Sequence, residues 1–371
     1  MKQTILALAV AAVAAAGAAQ AASVYSKDGT SLDVYGRVQS VLYSSGTGNT
    51  DAQGTYHDNS IDTSARLGLD MRTEINQYVA AFANAEWEAA NGEDGEGADG
   101  EDFNARYLFV GADFGQFGSI KAGKFEDAIK YAIEPTDIFE DFGCVAQLGN
   151  DDRRSGQIMY SWSGFGVDFN VSYESAGNNQ AVDGAYWAGE SLDVHNGFAA
   201  SIGYTSPDVL FGPIFVRAGY SWAEFQNSFD KQNSENNAYD KYSQYAASLG
   251  WGGDTGFYTA VMYSNRDFSL FSNNSLGIDD YTVQGVEFVL RYGFMNGMSV
   301  IAGYQWANTD MDNGKDLDAS TVNLEFDYEV TPNVKVWAEA RWDVDTDDGY
   351  DEWTDQNYSE DVYSIGARYT F

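Results

Sequence analysis

Residues 361–371 read DVYSIGARYTF. Counting back in twos from Phe371 gives Tyr369, Ala367, Ile365 and Tyr363; between them stand Thr370, Arg368, Gly366, Ser364 and Val362. One set is apolar or aromatic and the other mostly small, polar or charged, the period-two signature of a strand with two unlike faces. Chain ends ordinarily trail off as polar tails. A final residue built into a strand therefore asks what that strand pairs with.

The same alternation recurs along the chain. SLDVYGRVQSVLY (31–43) sets Leu32, Val34, Val38 and Leu42 against Asp33, Tyr35, Arg37 and Gln39. SARLGLDMRTE (64–74) sets Ala65, Leu67, Leu69 and Met71 against Arg66, Asp70, Arg72 and Glu74. YVAAFANAEWE (78–88) sets Val79, Ala81, Ala83, Ala85 and Trp87 against Asn84, Glu86 and Glu88. Further strands are predicted near 103–112, 118–124, 154–162, 166–174, 197–205, 213–223, 241–250, 256–265, 280–293, 297–307, 319–330, 334–343 and 361–371, giving 16 strands in all. The connections alternate between short turns, such as INQ (75–77), SGFG (163–166) and TPN (331–333), and long polar loops, such as 175–196, 224–240 and 343–360. That asymmetry describes an up-and-down antiparallel sheet of the outer-membrane barrel type.

Hydrogen bonding decides between an open sheet and a closed one. Hydrocarbon offers no partner for a free N–H or C=O, so a sheet in lipid has no edges and its last strand must pair with its first. A soluble sandwich buries its apolar face against a second sheet. It needs no second face carrying acids and arginines on nearly every strand, whereas in a wide barrel that face lines water. The apolar face ends in aromatics (Tyr43, Trp87, Tyr369, Phe371), as expected at headgroup level.

Composition narrows the function. The 25 Tyr, 22 Phe and 39 Gly against 4 Pro are strand and turn material. Twenty Lys+Arg against 56 Asp+Glu give a net charge of -36. A polyanion would be repelled, so nucleic acid is excluded as a partner, while small cations or divalent ions fit, as does plain solubility in a salty medium. The N-terminus has a positive Lys2, an apolar run from Ile5 to Ala16 and the small-x-small pattern Ala19-Gln20-Ala21. This predicts a cleaved secretory signal peptide over 1–21 and one domain over 22–371. The single cysteine, Cys144, cannot form an internal disulfide.

These segments also carry a family pattern. VYSKDGTSLDVYGRV (24–38) resembles the first strand of the Gram-negative general porins, SARLGLDMRTEI (64–75) their second, and ARYLFVGADFGQFGSIKAGK (105–124) their fourth and fifth. PTDIFEDFG (135–143) is similar to the tip of their third loop, and the terminal strand with Phe371 and Tyr369 matches their assembly signal. The resemblance implies an all-β, 16-stranded antiparallel transmembrane barrel, homotrimeric in the outer membrane. Its third loop, 125–152 here, would fold inward and constrict a water-filled pore for small hydrophilic solutes and ions.

By the same resemblance Asp137 and Asp141 are the loop carboxylates of the constriction. Arg37, Arg66, Arg106 and Arg153 form the opposing basic cluster, with Arg154 the weaker choice over Arg153. Parity is read as placing Arg37, Arg66 and Arg106 on the polar face, opposite the lipid-facing residues of their strands. Arginine suits such a wall because its guanidinium stays charged beside like charges, and charged linings select by size and sign. The loop carries further acids, Glu126, Asp127, Glu134, Glu140, Asp151 and Asp152, which point to cation preference. Cys144 stands where the family has a glycine-rich stretch.

Other motifs carry less. NGEDGEGADGED (91–102) matches the family's second loop; it suits divalent bridging to lipopolysaccharide, a subunit latch, or plain solvation. DVDTDDGYDEWT (343–354) begins like an EF-hand, but its glycine falls at position seven and Thr354 replaces the closing Glu, so no metal site is expected. His57 and His195 fall in loop-like segments and no G-x-S-x-G or H-E-x-x-H occurs, so neither catalysis nor a cofactor is expected. The rival to general diffusion is a channel specific for a sugar, nucleoside or phosphate.

Overall fold

The computed structural model describes residues 22–44, 60–91, 103–186, 190–226, 238–253, 255–271, 274, 277–347, 349–354 and 356–371. The expected signal peptide, the acidic stretch 92–102, His57 and most of 224–240 lie outside the described residues.

Period-two segments become strands, and the strands form one ring. They are β1 (Ala22–Lys27), β2 (Thr30–Tyr43), β3 (Ser60–Asn76), β4 (Val79–Asn91), β5 (Asn104–Asp113), β6 (Ser119–Phe125), β7 (Arg154–Gly164), β8 (Val167–Glu174), β9 (Gly177–Ala181) and β10 (Ser191–Val209). There follow β11 (Gly212–Phe225), β12 (Tyr239–Gly252), β13 (Gly256–Leu270), β14 (Asp280–Gly293), β15 (Met298–Met311), β16 (Asp316–Thr331), β17 (Val334–Asp343) and β18 (Val362–Thr370). Two short helices, α1 (Lys130–Ile133) and α2 (Tyr350–Thr354), lie in loops. Neither is long and apolar enough to cross a membrane.

Antiparallel pairing runs unbroken from β2 through β8 to β10 and on to β18. The ring closes when β18 pairs with β2, from Ser364↔Tyr43 to Thr370↔Arg37. Sixteen strands therefore make the barrel, each one predicted from alternation. The other two are accessories: β1 is a hairpin on the start of β2, and β9 adds to the start of β10 inside the segment read as a loop. His195, expected in that loop, lies on β10.

The two faces separate as the pattern requires. On β18, Tyr363, Ile365 and Tyr369 are exposed outward while Val362 and Ser364 are buried inward. A belt of exposed apolar side chains, among them Val38, Leu67, Val110, Ile202, Leu249, Phe288 and Phe326, covers the outer surface. Buried residues such as Glu287, Gln305, Asn323, Glu325 and Glu339 point the other way.

The inner face is not polar throughout. Towards the long-loop end, Phe225, Tyr239, Tyr242, Met262, Phe268, Tyr281, Val283, Met311 and Leu317 are buried inside the ring. They pack against Ile129, Ile133 and Leu148 from the loop after β6, Val182 and Ala185 from the loop after β9, and Tyr350 of α2. The expectation that the second face lines water fits the partly exposed arginines of β2, β3 and β5 and fails here, because inserted loops cover apolar wall that would otherwise be wet. The burial of apolar area is the drive for that insertion.

Candidate functional site

The segment between β6 and β7 enters the ring, and its hydrogen bonds trace its path. Its two roots are pinned by a buried ionic network. Arg154, 1% exposed, donates to Asp127 at 2.8 Å, lies 3.1 Å from Glu174 and 3.9 Å from Asp152, and donates to the Tyr242 hydroxyl at 3.1 Å. Arg266 contacts Asp152 at 3.2 Å and donates to Gln244 Oε1 and to the Asp183 carbonyl. Asp183 in turn accepts the Gly149 amide at 2.6 Å. Asp127 and Asp152 belong to opposite ends of the loop, so the two guanidiniums tie both ends to the wall. Arg154 is thus a structural anchor. Arg153 bridges Glu126 at 3.0 Å and Asp151 at 2.5 Å and stacks over Tyr107.

From its roots the loop runs along the wall of β10 to β18. Arg217 pairs with Glu134 at 2.7 Å, and Thr136 donates to Glu287 at 2.6 Å. The Val145 amide donates to Gln305, and the Glu140 amide to Glu325 at 2.9 Å. The amides of Asp141 and Phe142 both donate to Glu339, at 2.8 and 3.0 Å. Carboxylates accepting backbone N–H groups make strong hydrogen bonds, so the tip is held without any covalent link. Glu140 adds ion pairs to Lys335 at 2.7 Å and Arg368 at 2.5 Å.

The two loop carboxylates singled out by resemblance part company here. Asp137 is exposed; it accepts hydrogen bonds from Asn150 Nδ2 at 3.1 Å and Cys144 Sγ at 3.2 Å. Asp141 turns to the wall, accepting Trp337 Nε1 at 2.6 Å, Ser364 Oγ at 2.5 Å and Tyr43 OH at 3.3 Å. Burial pushes its carboxyl above the ordinary aspartate value. The further loop acids, read as surplus, have basic partners: Glu126, Asp127, Glu134, Glu140, Asp151 and Asp152 all form ion pairs.

Cys144 occupies φ 69°, a left-handed conformation that glycine adopts at no steric cost and other residues adopt at roughly 1–2 kcal/mol. That explains why glycine suits this stretch. Desolvation and the facing Asp137 carboxylate push the thiol well above its usual value, which disfavours the reactive thiolate.

Across the lumen, away from the loop, stand Arg37 on β2, Arg66 on β3 and Arg106 on β5. Arg37 and Arg66 are direct cross-strand neighbours. All three converge on acids of β4, the residues that parity placed on the polar face but that the motif comparison passed over. Glu88 lies 2.5 Å from Arg66, 2.6 Å from Arg106 and 3.8 Å from Arg37. Glu86 lies 2.9 Å from Arg106. Parity alone does not bring Arg106 inside: it shares even numbering with Leu108 and Val110, both exposed on the outer face. A β-bulge, where Glu86 pairs with Tyr107 but Trp87 with Ala105, resets the alternation. Among the described residues no cluster of His, Cys, Asp and Glu has the arrangement of a metal site.

A closed 16-stranded ring with a charged lumen and a loop folded into it is a pore architecture, and comparison with known proteins agrees. Residues 7–349 match the family model described as Gram-negative porin. The chain belongs to the Gram-negative porin family. The outer membrane porin protein OmpD of Salmonella typhimurium is 30% identical over 320 residues, covering 82% of this chain and 81% of its own. Salmonella typhi OmpF, solved in complex with daunomycin, superposes with a TM-score of 0.72 at 21% identity, over 94% of this chain and 99% of the other. In vitro folded OmpT of Vibrio cholerae, solved in a trimer form, gives 0.65 at 16% identity, over 93% of this chain and 100% of the other. The protein is accordingly an outer-membrane porin, a passive channel and not an enzyme.

Proposed function

We propose that this porin is a homotrimeric general-diffusion channel that admits small hydrophilic solutes and ions, prefers cations, and is narrowed by its third loop. The observation that carries the sign is the charge inventory of the lumen. Asp137 stands exposed on the loop with no basic side chain at ion-pair distance among the described residues, while Arg37, Arg66 and Arg106 spend their charge on Glu86 and Glu88. A cation passing between them meets an uncompensated carboxylate on one side and a largely neutralised wall on the other. Asp141 and Arg153, bound to wall and loop partners, act by holding the constriction in shape.

Export would proceed by removal of residues 1–21, and the acidic second loop would reach lipopolysaccharide through divalent cations. The small outward residues Ser40, Ala65, Ala81, Ala83 and Ala85 on β2 to β4 would permit close subunit packing, whereas Gly36, the other small residue of that face, is covered by the Phe371 ring.

Purified protein in planar bilayers is expected to show three equal conductance steps per insertion and, across a tenfold KCl gradient, a zero-current potential of cation sign. An anion-sign potential would overturn the preference, and absence of conductance the channel itself. Liposome-swelling rates are expected to fall smoothly with solute size; saturation by one sugar, nucleoside or phosphate ester would replace general diffusion with specificity.

A further inference from the structure

We propose that Gly285 of β14 and Gly303 of β15 are positioning residues that fix how closely the third loop sits against the barrel wall, and so how wide a passage it leaves. The inference rests on the reading above that this loop narrows an open pore.

The seat is built on one cross-strand pair. Glu287 and Gln305 are direct neighbours across β14 and β15, and both are buried on the inner face. They take adjacent loop amides: Ala146 donates to Glu287 Oε1 at 3.0 Å and Val145 to Gln305 Oε1 at 2.9 Å. Both bonds are of ordinary length, so the loop backbone rests at a set height above the pair. Side chains on one face of a strand recur every second residue. Gly285 is therefore the inward neighbour of Glu287, and Gly303 that of Gln305.

Each glycine lies under a loop side chain. A Cβ built at Gly285 would stand well under 3.0 Å from the Ala146 Cβ, and one at Gly303 would meet the Phe139 ring at 2.7 and 2.8 Å. Non-bonded carbons rest at about 3.5–4.0 Å, so neither position accepts a side chain while the loop stays where it is. Phe139 is held in place, packing with Ile138 and Tyr258 on Phe215, Ala260 and Val289. Backbone conformation does not call for glycine here, because neither residue has a positive φ. Glycine inside a strand weakens it and often marks a close approach by another stretch of chain.

The wall has little room to recede, since β14 and β15 are each paired along both edges. A methyl group at position 285 would push the loop across the lumen, towards the arginines of β2, β3 and β5. The passage between them would narrow. The same methyl would come within 2.7 Å of the Trp306 carbonyl oxygen of β15, so a distorted wall is the competing outcome of that substitution.

The test uses the full-length protein in bilayers and liposomes, with Cys144, two residues before Ala146, giving a reading that needs no current. Gly285→Ala is expected to lower the step conductance and to steepen the fall of swelling rate with solute size. It should also raise the rate at which a small maleimide modifies Cys144 in detergent. Adding Ala146→Gly removes the loop methyl and should return all three towards wild type. Gly303→Ala should act in the same direction and be relieved by Phe139→Leu, which removes the ring atoms it would strike. Gly253→Ala, whose Cβ would meet nothing within 4 Å, is the reference.

If Gly285→Ala matches Gly253→Ala in all three readings, or if Ala146→Gly does not restore it, the inference is wrong. Should Gly285→Ala not fold, Gly303→Ala with Phe139→Leu decides by the same rule. Should neither glycine variant fold, Ala146→Val, which adds bulk from the loop side and leaves the wall intact, must lower the conductance or the inference falls. If labelling responds and is restored while conductance and swelling stay at wild type, the seat stands and the loop does not narrow the pore. A wild type that conducts nothing refutes the channel reading instead.

Discussion

Arg154→Ala is expected to destabilise the barrel more than any other single substitution at a lumen arginine. Arg154 is enclosed by Asp127, Asp152, Glu174 and Tyr242, with all three carboxylates buried. Removing the guanidinium leaves Asp127 and Glu174 without their ion-pair partner, while Asp152 keeps Arg266 at 3.2 Å; breaking a buried pair from one side costs about 3–5 kcal/mol. Part of that cost falls on the loop, because Asp127 also accepts the Ile129 amide at 2.9 Å and the Ser221 hydroxyl at 2.7 Å. The expected result is a lower unfolding temperature, read as the loss of the compact, fast-migrating band on gels after stepwise heating in detergent, together with noisier single-channel current as the loop root loosens. Arg153→Ala is the comparison. Its partner Asp151 has a side chain 70% exposed, and exposed pairs contribute only about 0–1 kcal/mol; its buried partner Glu126 keeps Lys130 at 3.2 Å when Arg153 is removed. Equal destabilisation by the two substitutions would show that the buried network does not anchor the loop.

That contrast between adjacent arginines marks where reading the sequence stops. Strands were legible because lipid outside and water or polar loop inside impose period two on each of them, and Val362 to Thr370 shows the rule intact. Closure was legible because hydrocarbon forbids an edge. What parity could not supply is anything that depends on a bulge or on a loop's path. Arg106 reaches the lumen by a one-residue irregularity that the numbering of its neighbours contradicts. Asp141 and Asp137 are four residues apart on one loop, yet the first meets Trp337 and Ser364 of the wall while the second stays exposed and bonds within the loop, to Asn150 and Cys144. Nothing local separates them, since the partners of Asp141 lie about 200 positions later in the chain. The inward aromatics Tyr239, Phe268 and Tyr281 likewise make sense only once the loops that cover them are in place.

The pairing of nearly every loop acid also changes how net charge should be read. A surplus of carboxylates counted along the sequence suggested a strongly negative constriction. In the fold, Glu126, Asp127, Glu140 and Asp152 are bound to arginines and lysines of the wall and the loop itself. On the proposed reading, selectivity would then depend on the few charges left uncompensated, among them the exposed carboxylate of Asp137.

Deletion of Phe371 is expected to reduce the yield of folded barrel severely, and Gly36→Val to do the same by a different route. The terminal residue completes the seam: its amide donates to the Gly36 carbonyl at 2.9 Å and its carbonyl accepts the Gly36 amide at 2.8 Å. Without it both Gly36 groups face lipid unpaired, at several kcal/mol each. The Phe371 ring also lies where a side chain at position 36 would be, since a Cβ there would come within 2.7 Å of the ring and 2.4 Å of the Arg66 carbonyl oxygen. Only glycine lets the ring cover the closing hydrogen bonds, so valine displaces it while leaving the terminus intact. Refolding purified chains from denaturant into detergent, scored by heat-modifiable gel migration, isolates this seam from any cellular recognition of the C-terminus. Both variants should refold poorly there. If the Phe371 deletion refolds as well as the intact chain in detergent but fails to accumulate in the outer membrane, the residue serves as an assembly signal and the seam closes without it. If it is normal in both settings, neither role stands.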